Sequence, residues 1–218
     1  MSELTYSVLS ITWLSLKVSG IALVISTLIG LPAGAWLGLT PFRGRWLALA
    51  LVNTLTGLPP VLVGLVVYLL LSRSGPLGEL RWLFTPTAMI VAQTILAFPL
   101  IMAITASSVM SGDPELPEQL AALGATRYQV SLALLNEARI GLLIGIAAGF
   151  GSVISEVGAV MLVGGNIQGE TRVLTTAILL ETRQGNFSLA VALGLVLLGV
   201  SLCINLAVLS LRGRQGRT

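Results

Sequence analysis

Two sets of residues in this chain stand out by type and spacing. The first runs Glu118, Ala121, Ala122, Gly124, Ala125, inside a polar, glycine-punctuated stretch over 117–139 (PEQLAALGATRYQVSLALLNEAR). The sequence on either side is apolar enough for lipid, so an insert of this length must act outside the bilayer. An acid, small residues and a glycine turn make a docking element, not a reaction centre. The second set lies within the apolar sequence itself: Pro59-Pro60 and Glu156. A carboxylate inside an apolar span is costly and seldom idle. Glu156 either pairs with an Arg or a backbone amide, or belongs to a gate.

Much other chemistry is absent from the sequence. There is no G-x-x-x-x-G-K-[ST], and Lys17 is the single lysine, so the chain has no P-loop for ATP. Histidine is missing and Cys203 is the one cysteine, which excludes an internal disulfide and a Cys/His metal cluster. Cys203 sits in a late apolar run and reads as a small buried hydrophobe. No Ser/His/Asp set and no paired membrane carboxylates for a proton relay appear. No cofactor or metal is expected in this chain; if it pumps, another subunit supplies the energy. The net charge of +3 comes from arginines at helix ends and carries no nucleic-acid footprint.

The elements that must position these residues follow from composition. Hydrophobic residues make up 55% and charged residues 10%, against about 25% charged in a soluble domain, so the expectation is an all-α integral membrane protein in contact with lipid. Spanning the hydrocarbon takes roughly 20 helical residues. Five segments reach that length, at about 9–38, 46–72, 86–110, 139–163 and 187–211, within a single domain over 1–218. No basic region precedes the first, so a cleaved signal peptide is not expected. Lys17 is read as snorkelling and Trp13 as an interfacial anchor.

An odd number of spans puts the termini on opposite sides. A cytoplasmic C-terminus gives the inside Arg43, Arg45, Arg127, Arg139, Arg212, Arg214 and Arg217, and the outside Arg73, Arg81, Arg172 and Arg183. This bias favours an external N-terminus and a cytoplasmic segment 113–137.

The spans are not uniform rods. Pro32, Pro59-Pro60 and Pro99 each favour a kink. Gly141-x-x-x-Gly145-x-x-x-Gly149 offers a close-approach face, for packing inside one subunit or along a subunit interface or pathway. After Gly164-Gly165-Asn166, the run 173–180 (VLTTAILL) is too short to cross. Segment 164–186 therefore reads as external and gate-like, with a helix on the membrane surface or folded back over a pathway mouth. Within 113–137, Pro117 suits a helix start, Glu118 its first turn, and Gly124 a left-handed stop. Thr126 with Gln129 makes a capping box for a second helix.

These residues carry a resemblance. Glu118 through Thr126, followed by an amphipathic run, is similar to the EAA loop of ABC-importer permeases, with Gln119-Leu120 in place of two alanines and Asn136-Glu137 in place of Leu-Pro. Ser155-Glu156-Val157-Gly158-Ala159 through Gly164-Gly165-Asn166-Ile167 and Gly169-Glu170-Thr171-Arg172 resembles the GEFGA…GNIPGET stretch of molybdate and sulfate permeases. Gly57-Leu58-Pro59-Pro60-Val61 resembles their second span, and Asn136-Glu137-Ala138-Arg139 resembles the tungstate type.

The resemblance implies a type I importer permease fold in a prokaryotic cytoplasmic membrane. It implies a homodimer of this chain, a cytoplasmic ATPase dimer binding ATP and Mg, and an extracytoplasmic oxyanion-binding protein. Glu118, Ala121, Ala122, Gly124 and Ala125 would couple to the ATPase. Pro59, Pro60, Glu156, Gly158 and Asn166 are the gate or pathway candidates. Glu156 would repel a dianion, whereas Asn166, Gln168 and Thr171 supply neutral donors and Arg172 a positive charge. A channel or secondary transporter with a structural cytoplasmic loop is the alternative.

Overall fold

The computed structural model describes residues 2–213, and it is helical almost throughout. In chain order the helices are α1 (Ser2–Leu39), α2 (Arg45–Thr56), α3 (Pro60–Leu71), α4 (Pro86–Met110), α5 (Leu116–Ala122), α6 (Arg127–Glu137), α7 (Arg139–Ile154), α8 (Gly158–Gly164), α9 (Leu174–Arg183) and α10 (Phe187–Gly213), with a 3-10 turn at Gly78–Leu80 between α3 and α4. Three stretches are long and apolar enough to cross a membrane: Val8–Leu39, Pro86–Met110 and Phe187–Ala207. Two bent pairs, α2 with α3 and α6 with α7, bring the total to as many as five.

Helix α4 forms the centre, and glycines decide how closely its neighbours approach. On one side α1 presents Gly30, Gly34 and Gly38. A Cβ on Gly34 would lie 2.5 Å from the Met102 carbonyl oxygen and 2.7 Å from Thr105 Cβ, and one on Gly38 would lie 2.9 Å from Val109 Cβ. Helix α7, which packs against both α4 and α1, presents Gly141, Gly145 and Gly149. A Cβ on Gly149 would lie 2.8 Å from Ile101 Cδ1, and one on Gly141 would run into the Ser108 hydroxyl. The glycine repeat of α7 therefore packs inside one subunit. Small-residue faces let helix backbones come together where lipid supplies no hydrophobic drive of its own.

The prolines act unequally. Pro32 and Pro99 lie inside continuous helices, held by the packing of α1 on α4 rather than breaking it. At Gly57-Leu58-Pro59 the chain does break: α2 and α3 meet at 92°, so the expected second span 46–72 is two short helices and not one kinked rod. Pro59 caps α3 and Pro60 opens it; proline lacks the N–H that a first turn leaves free, so it starts a helix well and continues one badly. The expected fourth span 139–163 is also interrupted, at residues 155–157 between α7 and α8.

Arg45 ends α1 by donating from Nε to the Leu37 carbonyl at 3.0 Å and from Nη2 to that of Gly38. Cys203 corrects an expectation, because it is exposed rather than buried. Its helix α10 is the least covered span, with 11% of its apolar window buried, so any cover comes from outside the chain.

Candidate coupling element and broken-helix site

The first candidate site is built by local rules. Pro117 lies in the opening turn of α5 and Glu118 beside it, where a carboxylate favours the helix dipole. Gly124 ends the helix with φ +85°. Its N–H donates to the Ala121 carbonyl at 3.0 Å, and the Ala125 N–H reaches back to Leu120 at 3.0 Å, the pairing that closes a helix through a left-handed glycine. The Thr126–Gln129 capping box then forms, with the Thr126 N–H donating to Gln129 Oε1 at 2.8 Å.

Neither α5 nor α6 buries a residue. Glu118, Ala121 and Ala122 are exposed, and Leu123, Tyr128 and Leu132 stand 84%, 72% and 47% exposed. A helix pair with apolar side chains turned outward presents a contact surface.

The pair is tied down at its far end. Glu137, the last residue of α6, accepts the Asp113 N–H at 3.2 Å, and Asp113 in turn accepts that of Glu115 at 2.9 Å. Immediately after, α6 bends 58° into α7. The departure of Glu137 from the proline seen in the similar loops is therefore a tether between the exit of α4 and the start of α7.

The second candidate site is the break between α7 and α8. A broken helix in lipid leaves carbonyls that must find partners. The Val153 carbonyl accepts Gln93 Nε2 at 2.8 Å, the Ser19 hydroxyl at 3.5 Å and the Glu156 N–H at 3.3 Å. The Glu156 carbonyl accepts the Thr175 hydroxyl at 2.8 Å. Glu156 Oε1 accepts the Ala159 N–H at 3.0 Å, capping the first turn of α8. The carboxylate is thus half-buried at a helix start and not inside a continuous span. Of its two readings, the pairing with a backbone amide is present; among the described residues it has no Arg partner.

Gly158 lets α3 approach, since a Cβ there would lie 2.8 Å from Val61 Cγ2, and one on Gly64 would lie 2.7 Å from Ala159 Cα. Pro59, Pro60, Glu156 and Gly158 therefore gather at one end of α8. Asn166 lies beyond its other end, about 10 Å away at 1.5 Å per residue. It adopts φ +53°, and its Oδ1 is buried without a hydrogen-bond partner. The turn there closes through Thr171, whose hydroxyl donates to the Gly164 carbonyl at 2.6 Å and accepts the Ile167 N–H at 2.9 Å. The short helix expected over 173–180 is α9; its first turn is buried, and the Leu174 N–H donates to Ser15 Oγ at 2.8 Å.

Gln93, Ser15, Ser19 and Thr175 escaped sequence reading. Each is a polar residue in an apolar run, and that was the only signal. Replacing Gln93 with Leu should cost about 1–3 kcal/mol, because a carbonyl at the break loses its best-placed donor; a thermal midpoint in detergent equal to that of the parent protein would contradict this.

Comparison with known proteins agrees with the geometry. Residues 30–216 match the family described as binding-protein-dependent transport system inner membrane component. A probable anion ABC transporter permease protein of Haloferax volcanii is 44% identical over 224 residues, spanning 99% of this chain and 96% of that one. A tungstate uptake system permease protein, TupB, of Peptoclostridium acidaminophilum is 43% identical over 205 residues, with 94% and 90% covered. The inward-facing MetNI methionine ABC transporter superposes with a TM-score of 0.74 at 20% identity over 97% of both chains, which establishes the fold alone. On the family match and these identities together, the chain belongs to the inner membrane components of binding-protein-dependent transport systems, the permease subunits of ABC importers.

Proposed function

We propose that two copies of this chain form the path of an ATP-driven importer for tungstate or a related tetrahedral oxyanion such as molybdate or sulfate. An extracytoplasmic binding protein delivers the anion. A cytoplasmic ATPase dimer, holding ATP and Mg, docks on α5 and its flanking turn. The N-terminus is outside and the C-terminus inside, as the arginine distribution favours.

The observation that carries this reading is the exposed α5–Gly124–α6 pair tethered through Glu137 to α4 and α7. When the ATPase cleft closes, Glu118, Ala121, Ala122, Gly124 and Ala125 move with it as a rigid element. The tether passes that movement to α7, and α7 passes it to the break at Glu156. There Pro59, Pro60 and Gly158 let α3 and α8 shift against one another, with Asn166 at the outer turn. Selectivity among dianions of like shape and charge resides mainly in the binding protein.

Co-purification tests the reading. A P-loop ATPase should be retained by the intact chain and lost when 113–137 is replaced by a neutral linker. Retention without that segment would favour a channel or secondary transporter with a merely structural loop. Calorimetry on the partner binding protein identifies the anion. Glu156→Gln keeps the oxygen that accepts the Ala159 N–H but removes the charge. It should express and melt like the parent while changing uptake or basal ATP hydrolysis; unchanged activity would reduce Glu156 to a helix cap.

A further inference from the structure

We propose that the cavity between the end of α3 and the loop into α4 is a vestibule that holds a tetrahedral oxyanion, with Arg73 and Arg81 as its cationic donors. The inference rests on the importer reading above and gives the anion a holding place on this chain. The cavity measures about 990 Å³, and its walls include Tyr68, Leu71, Arg73, Glu79, Arg81 and Phe84. The two guanidinium groups, the Glu79 carboxylate and the Tyr68 hydroxyl have no hydrogen-bond or ion-pair partner among the described residues. Two cations and one carboxylate therefore line one concave space, with the guanidinium donors free. A guanidinium presents a planar fork of N–H groups that matches oxyanion geometry.

The walls are preformed. Arg81 closes the 3-10 turn with φ +53°, and Phe84 follows with φ +60°. Non-glycine residues seldom adopt this region, a bulky one least of all. They are held there because the loop is fixed to the bundle: the Phe84 N–H donates to the Val163 carbonyl at 2.9 Å, and its ring meets Tyr68 edge-on with centroids 6.1 Å apart. A Cβ on Gly165 would lie 2.9 Å from Phe84 Cδ1. Phe84 is thus a shared wall between the cavity and the Gly165–Asn166 turn, where Arg172 Nε is a further buried donor with no partner. A concave space with the Tyr68 hydroxyl, on a half-buried residue, in its wall suits a small hydrated anion better than the flat face of a protein.

The test uses the permease–ATPase complex in nanodiscs without binding protein, with sodium tungstate as the probe in equilibrium dialysis at fixed ionic strength. The parent complex should retain tungstate saturably and release it to molybdate or sulfate. Arg73→Gln and Arg81→Asn should each weaken retention by about 10-fold or more, the size of a lost charged hydrogen bond. Asn is chosen at position 81 because it tolerates the left-handed backbone. Glu79→Gln should tighten retention, a direction that a folding defect would not produce.

Equal retention in the parent and both arginine variants, or weaker retention in Glu79→Gln, would overturn the vestibule. So would unchanged tungstate retention combined with lost affinity for the loaded binding protein, which would make the arginines readers of a partner's carboxylates. ATP-driven tungstate uptake by the parent in proteoliposomes is read separately. Its absence would sink the importer reading and leave the dialysis result standing.

Discussion

Gly124→Val is expected to abolish coupled transport while leaving a folded permease in the membrane. Gly124 sits at φ +85°, where an L-residue costs roughly 1–2 kcal/mol and a β-branched one more. Space is not the obstacle, since a Cβ at this position meets nothing within 4 Å. The penalty is purely conformational, and relieving it means rotating the chain between α5 and α6. That rotation would break the paired bonds from Gly124 to Ala121 and from Ala125 to Leu120, and re-aim α5 relative to the tether at Glu137. Uptake in proteoliposomes should fall to background, and stimulation of ATP hydrolysis by loaded binding protein should disappear. Expression and melting should hold, because α5 and α6 bury nothing. Parental uptake with parental ATPase stimulation would remove Gly124 from the coupling element. Gly124→Asn is the rescue, since Asn enters the left-handed region more readily.

Gly34→Ala is expected to destabilise the packed α1–α4 pair through a single added methyl. Its Cβ would lie 2.5 Å from the Met102 carbonyl oxygen and 2.7 Å from Thr105 Cβ. The first of these is backbone in the middle of a packed helix and has no rotamer by which to yield. Overpacking of this kind costs about 1–3 kcal/mol, and here α1 and α4 must separate to relieve it. Gly20→Ala provides the control on the same helix, because a Cβ there meets nothing within 4 Å. In detergent the midpoint of Gly34→Ala should drop by several degrees with reduced yield, while Gly20→Ala holds or rises slightly. Equal midpoints for the two variants would show that α1 and α4 are not held by this contact.

What could be read from the sequence was whatever near neighbours determine. Pro117, Gly124, Thr126 and Gln129 act over three or four positions, so the helix–turn–helix of the candidate coupling element was legible before any fold was known. The break between α7 and α8 was not. Ser155-Glu156-Val157 contains no strong helix breaker, and the interruption persists because donors from far along the chain, Ser19, Gln93 and Thr175, satisfy its carbonyls. The near right angle between α2 and α3 was legible only as a kink, because a proline marks where a helix stops and not where the next one points.

The glycine repeat in α7 was visible, but whether it faced inward or toward a second subunit was not; α4 decides that. The matching repeat of Gly30, Gly34 and Gly38 carried the same spacing and went unread beside Pro32. Exposure of Cys203 depends on molecules outside the chain, which its own sequence does not describe. The sequence divided the candidate site residues into two groups, and the meeting of Pro59 and Pro60 with Glu156 and Gly158 depends on the close approach of α3 to α8.

The position of α4 between two glycine-faced neighbours limits the degrees of freedom of the subunit. A helix held this closely against two others cannot spin about its own axis, since a small rotation would drive side chains such as Met102 or Ile101 into a facing backbone. It cannot piston far either, because the crossing points at Gly34, Gly38, Gly141 and Gly149 act as detents. Helices α1, α4 and α7 are consequently a single slab in mechanical terms. Movement within such a subunit reduces to tilting that slab as a whole and flexing the short pieces beside it, at 57–59 between α2 and α3 and at 155–157 between α7 and α8.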